Sequence, residues 1–200
     1  MDKKEAGYLV GSDSLIGDYF EITFDNEDGA QRAWLVNKFG QKVAYFEKDI
    51  SRELAVIQAR GWVLVTTLSY VAFTDSPQPG KYWGEAAIMA YDPSVADEFK
   101  TFTSNMFNIM KDGVRPDISL SPQAIDAVIK NKGNWAPNKT IDIPKMNHGS
   151  ALVKSRRTMS EKLIEKGRKG NIGCYIVSWI FNIGLLAGVV LLILYLVGVI

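Results

Sequence analysis

Cysteine and histidine are almost absent from this chain of 200 residues, which holds one of each, Cys174 and His148. A single cysteine excludes an internal disulfide framework and fits a reducing compartment. A single histidine leaves no material for zinc sites of ordinary composition or for Cys–His and Ser–His catalysis. The sequence therefore predicts no metal site and no cofactor, and we interpret His148 as a solvated loop residue.

Motifs for nucleotide binding and secretion are missing as well. No GxGxxG or Walker sequence occurs, and the glycines are scattered through turns. Residues 1–11 contain acids and bases but no apolar run of the kind found in a secretory signal peptide. Acids that are distant in sequence can meet in a fold, so an acid-based hydrolase stays open as a third alternative. The composition favours a protein that is not an enzyme.

Charged residues are lacking after Lys169. The run from Cys174 to Ile200 holds 27 residues and is rich in Leu, Ile, Val and Gly. About 20 apolar residues in one helix suffice to cross a bilayer core. We therefore expect residues 172–200 to form a C-terminal transmembrane helix, with the lipid bilayer as a partner. The alternative is a buried core helix.

A basic block precedes this run. Residues 154–169 carry a net charge of +5, whereas residues 1–153 carry −4. Basic residues beside a membrane helix stay on the cytoplasmic side, so we expect a single-pass protein with a cytoplasmic N-terminal domain. Binding of anionic headgroups is a second interpretation of the same block. The predicted membrane-flanking residues are Arg156, Arg157, Lys166, Arg168 and Lys169.

Two glycines inside the apolar run, Gly184 and Gly188, form a GxxxG pattern. Small residues at this spacing let two helix backbones approach closely. The pattern predicts a homodimer that pairs through this helix. The alternative is that glycine is simply common in membrane helices.

Residues 1–92 have the periodicity of an α+β domain. Residues 49–60 have helical spacing, whereas the flanking segments alternate or are rich in β-branched and aromatic residues. The predicted strands are residues 18–24, 32–37, 41–46, 62–73 and 82–91. The order β–β–β–α–β–β predicts a small curled antiparallel sheet or barrel with one helix.

The rest of the chain divides into three segments. Residues 93–133 form an auxiliary helical segment, in which Ser121-Pro122 is typical of a helix start. Residues 134–171 are rich in Asn, Pro, Lys and Gly and are interpreted as a basic linker. The transmembrane helix follows at residues 172–200.

Two motifs point to a family. Gly40–Tyr45 reads GQKVAY, which matches a G-x-x-V-G-Y hairpin except that Ala44 replaces the second glycine. Arg52–Ala55 reads RELA and is followed by Gly61, where the predicted helix ends. With the flanking strands, these motifs resemble a divergent HIRAN domain, a small β-barrel-like module, over about residues 18–91.

The acidic turn of that family has a counterpart at Asn26 and Asp28, with Ala33 as its alanine at a spacing two residues longer. Residues 1–92 are thus assigned as a HIRAN-like α+β domain. In other proteins this module recognises DNA, notably free 3′ ends of single strands. The resemblance therefore implies nucleic acid as a partner.

Proteins bind single-stranded nucleic acids through positively charged side chains interleaved with aromatic side chains on which the nucleobases stack. The candidate nucleic-acid-binding residues are Arg32, Trp34, Lys42 and Tyr45. The alternative interpretation, core aromatics beside solvated bases, is favoured by the net −4 of residues 1–153, which repels phosphate. The sequence predicts a membrane-tethered cytoplasmic binding or interaction module without catalytic activity, with an unknown protein partner. The alternative is a HIRAN-like nucleic-acid-end binding domain held at the membrane.

Overall fold

The computed structural model describes residues 6–27, 29–75, 80–170 and 172–196. The chain divides into two compact units, Met1–Thr158 and Met159–Ile200, and each is considered by itself. Asp28 of the acidic turn lies outside the described residues, and so do residues 197–200 of the apolar run.

The first unit has an α+β architecture with an antiparallel sheet. Its described strands are β1 (Tyr19–Glu27), β2 (Ala30–Val36), β3 (Lys42–Tyr45), β4 (Val63–Thr74), β5 (Lys81–Tyr91) and β6 (Ser150–Lys154). Its described helices are α1 (Gly7–Val10), α2 (Lys48–Ala59), α3 (Ala96–Met110) and α4 (Pro122–Lys130). From β1 to β5 the elements follow the predicted β–β–β–α–β–β order, with boundaries within two residues for β2, β3, α2, β4 and β5, whereas β1 ends three residues later than predicted.

Alternation in the sequence explains β1. Phe20 and Ile22 are buried, whereas the alternate residues Tyr19 and Glu21 are exposed, as the two-residue period of a strand requires. The β1–β2 hairpin then turns at Gly29, whose φ of +76° is a conformation that glycine adopts at no steric cost.

Strand β4 is the centre of the sheet, and all residues from Val65 to Ala72 are buried. One edge of β4 pairs with β5 along its length. The other edge is shared, because β1 pairs with Thr66 and Thr67 and β6 pairs with residues 71–74. The resulting strand order is β3-β2-β1-β4-β5, and every pairing is antiparallel.

The core has three parts. Phe20, Leu35 and Leu68 of the sheet pack in one cluster with Leu9 of α1. Leu54 of α2 packs with Ile22 and Ala33. The third part lies between β5 and the helices α3 and α4 and is the largest. Its fully buried side chains are Phe102, Met106 and Val128.

The helical segment that was predicted over residues 93–133 contains α3 and α4. Ser121 caps α4, because its Oγ accepts a hydrogen bond from the Ala124 backbone N–H at 3.3 Å. Residues 134–171 are more ordered than the interpretation as a linker implied. They include β6, which extends the sheet beside β4.

The second unit consists of α5 (Met159–Arg168) and α6 (Ile172–Leu196) in its described part. In α6 the described apolar side chains are largely exposed, including Tyr175, Trp179 and Phe181. Gly184 and Gly188 lie one turn apart on this helix.

The predicted transmembrane helix is wrong for the part of the chain that the structure describes. None of the helices there combines the length and the apolar character needed to cross a membrane. The single-pass anchor is corrected accordingly, while the bilayer partner and the cytoplasmic location stay predictions from sequence.

Candidate binding cleft and aromatic–cation face

The four candidate nucleic-acid-binding residues meet on the outer face of β2 and β3, a cluster that we call the aromatic–cation face. Trp34 and Tyr45 are cross-strand partners, and their rings meet edge to face with centroids 5.4 Å apart. The Arg32 guanidinium carbon lies 4.9 Å from the Tyr45 ring centroid. Lys42 Nζ lies 5.2 Å from the Trp34 ring centroid. Sequence reasoning thus selected residues that the fold brings together.

A β-bulge makes this arrangement possible. Lys42 and Tyr45 are three positions apart and would face opposite sides of a regular strand. The register shifts here, since Val36 pairs with Lys42 whereas Leu35 pairs with Ala44. The extra residue, Val43, is fully buried, so the residues on either side of the bulge reach the same outer face.

The cations of this face already have carboxylate partners. Lys42 forms an ion pair with Asp25, and Arg32 Nε lies 3.5 Å from Glu27 Oε2. The Trp34 indole N–H donates to Glu27 Oε1 at 3.1 Å. A phosphate must compete with these carboxylates, which lowers its attraction to the face.

A second feature is a cleft of about 640 Å³ between β3 and β5, which we call the β3–β5 cleft. Its floor is apolar, with Leu9, Leu35 and Leu68 of the core at its base. Its other apolar lining residues include Tyr45, Phe46, Ile50, Tyr82, Trp83 and Ala86. Three charged residues, Glu47, Lys81 and Glu85, also line the cleft, together with Thr74, Ala44 and Gly84.

Contacts with β4 hold the β5 wall of the cleft in place. Trp83 donates from its indole N–H to Thr74 Oγ1 at 2.6 Å and meets Tyr70 edge to face at 5.7 Å. Gly84 has no room for a side chain, because a Cβ there would lie 2.7 Å from the Tyr70 carbonyl oxygen. The aromatic wall is therefore fixed by its neighbours in β4.

Arg115, from the connection between α3 and α4, anchors Glu85 at the cleft. The Arg115 side chain is buried, and its guanidinium is ion-paired with Glu85. It also donates to Ser69 Oγ at 3.0 Å and to the Asp142 carbonyl at 2.6 Å, and it lies over the Tyr70 ring at 5.3 Å. Sequence reasoning missed this residue, since its partners lie 27 to 46 positions away and leave no local pattern.

Tyr70 is the titratable group most affected by this network. Burial raises the pKa of the Tyr70 hydroxyl above its usual 10.0, and the Glu85 carboxylate raises it further. The positive charge of Arg115 acts in the opposite direction and lowers that pKa. The hydroxyl is therefore protonated at neutral pH.

Two basic residues of the predicted membrane-flanking block belong to the first unit. Arg157 is buried and donates to the Ile16 carbonyl and to Asp18 Oδ1, both at 2.6 Å. Arg156, next to it, is exposed. Arg157 thus has a structural role that the charge pattern did not reveal.

The remaining predicted residues are in the second unit. Lys166 and Arg168 lie on α5, and Lys169 follows it, with its Nζ 3.2 Å from Glu165 Oε1. A Cβ at Gly184 or Gly188 of α6 would meet no other atom within 4 Å.

Metal binding has no visible basis in the part of the chain that the structure describes. No three residues among His, Cys, Asp and Glu are grouped there in a way that would hold an ion. The absence of cofactors stays a prediction.

Comparisons with protein-family models, with curated proteins and with solved structures give no match. The resemblance to a HIRAN domain therefore has no support beyond the residues that suggested it. Function has to be argued from the cleft and the aromatic–cation face themselves.

Proposed function

We propose that this protein is a non-catalytic binding module whose ligand site is the β3–β5 cleft. The observation that carries the proposal is the cleft itself, about 640 Å³ of space that opens directly onto the core leucines between two end strands. Ligand sites in proteins commonly occupy about 300–1,000 Å³ and combine an apolar lining with a few polar groups. This cleft has both properties.

Rigidity of the walls also supports a binding role. Trp83 is fixed by Thr74 and Tyr70, and Glu85 is fixed by the buried Arg115. A site whose side chains are already held in place loses less conformational entropy when a ligand binds. Tyr45 lies on the opposite wall of the cleft, and its side chain is exposed.

Binding of Nile red, an uncharged apolar dye, to the full chain tests the proposal. Ala86→Phe places a ring in the cleft, so we expect at least a tenfold loss of the cleft-bound component. Ala59→Phe adds the same ring at the exposed end of α2 and is the matched control. We expect the exposed side chains of α6 to bind the dye equally in the wild type and in both variants, so this background does not affect the comparison. Equal titrations for the three proteins would refute the proposal.

The aromatic–cation face favours a second candidate, the binding of a nucleic-acid end. Aromatic rings interleaved with cations suit single strands, and Trp34, Tyr45, Arg32 and Lys42 are in contact here. Fluorescence anisotropy with a single-stranded oligonucleotide tests it, with and without a blocked 3′ end. If this candidate is right, the affinity of the protein for the oligonucleotide falls as the salt concentration rises. That affinity is lost in the Trp34→Ala variant and kept in the Arg60→Gln variant. Binding that is insensitive to Trp34→Ala would exclude this face.

A further inference from the structure

We propose that the occupant of the β3–β5 cleft is an extended polypeptide segment of a partner protein, which inserts as a strand and pairs with β3 and β5 at once. This inference rests on the proposed function, because it assigns the ligand class of the same cleft. Strand addition to an exposed sheet edge is an established way of binding peptides, in which backbone hydrogen bonds supply affinity and alternate side chains supply specificity.

Strand direction is the first argument. Each neighbouring pair in the order β3-β2-β1-β4-β5 is antiparallel, so β1, β3 and β5 run one way while β2 and β4 run the other. The two end strands therefore run in the same direction on either side of the cleft. One inserted strand that runs the opposite way is antiparallel to both, and it continues the alternation around the sheet.

The edges themselves are the second argument. Within the described part of the chain, β3 and β5 each have one hydrogen-bonded strand neighbour, so no other described strand pairs with the second edge of either. Ala44 on β3 and Gly84 and Ala86 on β5 are small, so a ligand backbone can approach both edges closely. Residues 81–86 of β5 line the cleft, which corresponds to a ligand strand of about 20 Å.

The third argument is charge complementarity along the cleft. Lys81 begins β5, whereas Glu47 lies two residues after the end of β3, so the two charges lie toward opposite ends of these two parallel strands. Glu85 lies between them, four positions along from Lys81. An inserted antiparallel strand begins near Glu47 and ends near Lys81. The partner segment is therefore basic at its N-terminal side, apolar at alternate central positions and acidic at its C-terminal side.

Two synthetic libraries of acetylated heptapeptides test this on the full chain. One has Lys first, Glu last and five varied positions between them, and the other has the two charges exchanged. We expect the Lys-first library to supply peptides that bind the wild-type protein. These peptides should bind the Ala86→Phe variant at least tenfold more weakly and should bind the Ala59→Phe variant as tightly as the wild type. N-methylation of a central amide should weaken the best binder at least tenfold, because it removes a donor needed for strand pairing.

Amide hydrogen exchange locates the ligand. Binding should slow exchange in both β3 and β5, and protection of one strand alone would contradict an inserted strand. Lys81 is exposed, so Lys81→Glu leaves the fold intact and should shift preference to peptides that end in Lys. Binders that tolerate N-methylation would overturn the inference.

Failure of this inference differs from failure of the proposed function. One outcome is that Ala86→Phe abolishes the binding of Nile red while neither library supplies a peptide whose binding depends on the cleft. In that case the proposal of a strand ligand is wrong, and the cleft remains a binding site. If an oligonucleotide protects the cleft instead of a peptide, the ligand class is likewise wrong. If Ala86→Phe changes neither dye nor peptide binding, both proposals fall.

Discussion

Arg157 Nη2 donates a hydrogen bond to Asp18 Oδ1 at 2.6 Å, across 139 positions of sequence. The Arg157 side chain is 1% exposed and that of Asp18 is 14% exposed, so the pair lies in the interior of the first unit. The same guanidinium holds the Ile16 carbonyl. These contacts join the residues after β6 to the segment before β1, at the two ends of the unit.

Arg157→Met is expected to lower the free energy of unfolding by about 3–5 kcal/mol, since removal of one partner leaves a carboxylate that is poorly solvated. The control is Arg156→Met, which removes the same charge from an exposed neighbour and should change stability by less than about 0.5 kcal/mol. Urea unfolding of the three proteins measures both. Equal effects would mean that the Asp18 contact contributes nothing beyond net charge.

Alkaline pH should destabilise the first unit through Tyr70. Because the pKa of the hydroxyl is raised in the folded state, its contribution is complete below its unfolded value of 10.0 and is lost as pH rises through the raised folded value. Tyr70→Phe should therefore flatten the fall in stability over the alkaline range that begins at about pH 10. Thermal unfolding across this range, with Tyr8→Phe as an exposed control, is the measurement. Parallel curves for wild type and Tyr70→Phe would remove Tyr70 as the source.

Gly133 closes the turn after α4 against α3. Its φ is +79°, and a Cβ would lie 2.3 Å from the Glu98 carbonyl oxygen and 2.6 Å from Thr101 Cβ. Gly133→Ala should cost about 2–4 kcal/mol, because left-handed strain and a steric overlap add together. Gly61→Ala is the matched control, since its φ is +80° but no atom lies within 4 Å, and strain alone costs about 1–2 kcal/mol. Similar losses for both variants, measured by urea unfolding, would show that the contact with α3 relaxes freely.

Local patterns explain how much of this fold was predictable. Two of the signals are local in sequence, namely the burial of alternate residues Phe20 and Ile22 and the helix cap at Ser121. Strand β1 and helix α4 could therefore be predicted from neighbouring residues alone. Arg115 and Arg157 donate hydrogen bonds to residues that are far away in sequence. The residues next to either arginine in the sequence do not distinguish it from a solvent-exposed basic side chain. The candidate face was predicted from residue types alone, and the bulge at Val43 that assembles it was not.

The transmembrane prediction had a different weakness. It treated the absence of charge as sufficient, whereas none of the helices in the described part of the chain has both the length and the apolar character needed to cross a membrane. The β3–β5 cleft was missed for a further reason. Its walls come from strands at opposite ends of the sheet order, and their approach depends on how the sheet curls rather than on any one segment.

Pairing of two chains through α6 stays a prediction and can be tested on the full chain. Gly184 and Gly188 lie one turn apart, and a Cβ at either meets nothing within 4 Å, so larger residues are accommodated within a single copy. If two copies pack along these glycines, replacing both with Ile should weaken self-association, because the branched side chains hold the backbones apart. Leu185→Ile with Val189→Ile is the matched control, since it places the same side chains one position along the helix. Chemical crosslinking followed by sedimentation equilibrium is the measurement, and the glycine pair is excluded as the interface if both double variants associate as the wild type does.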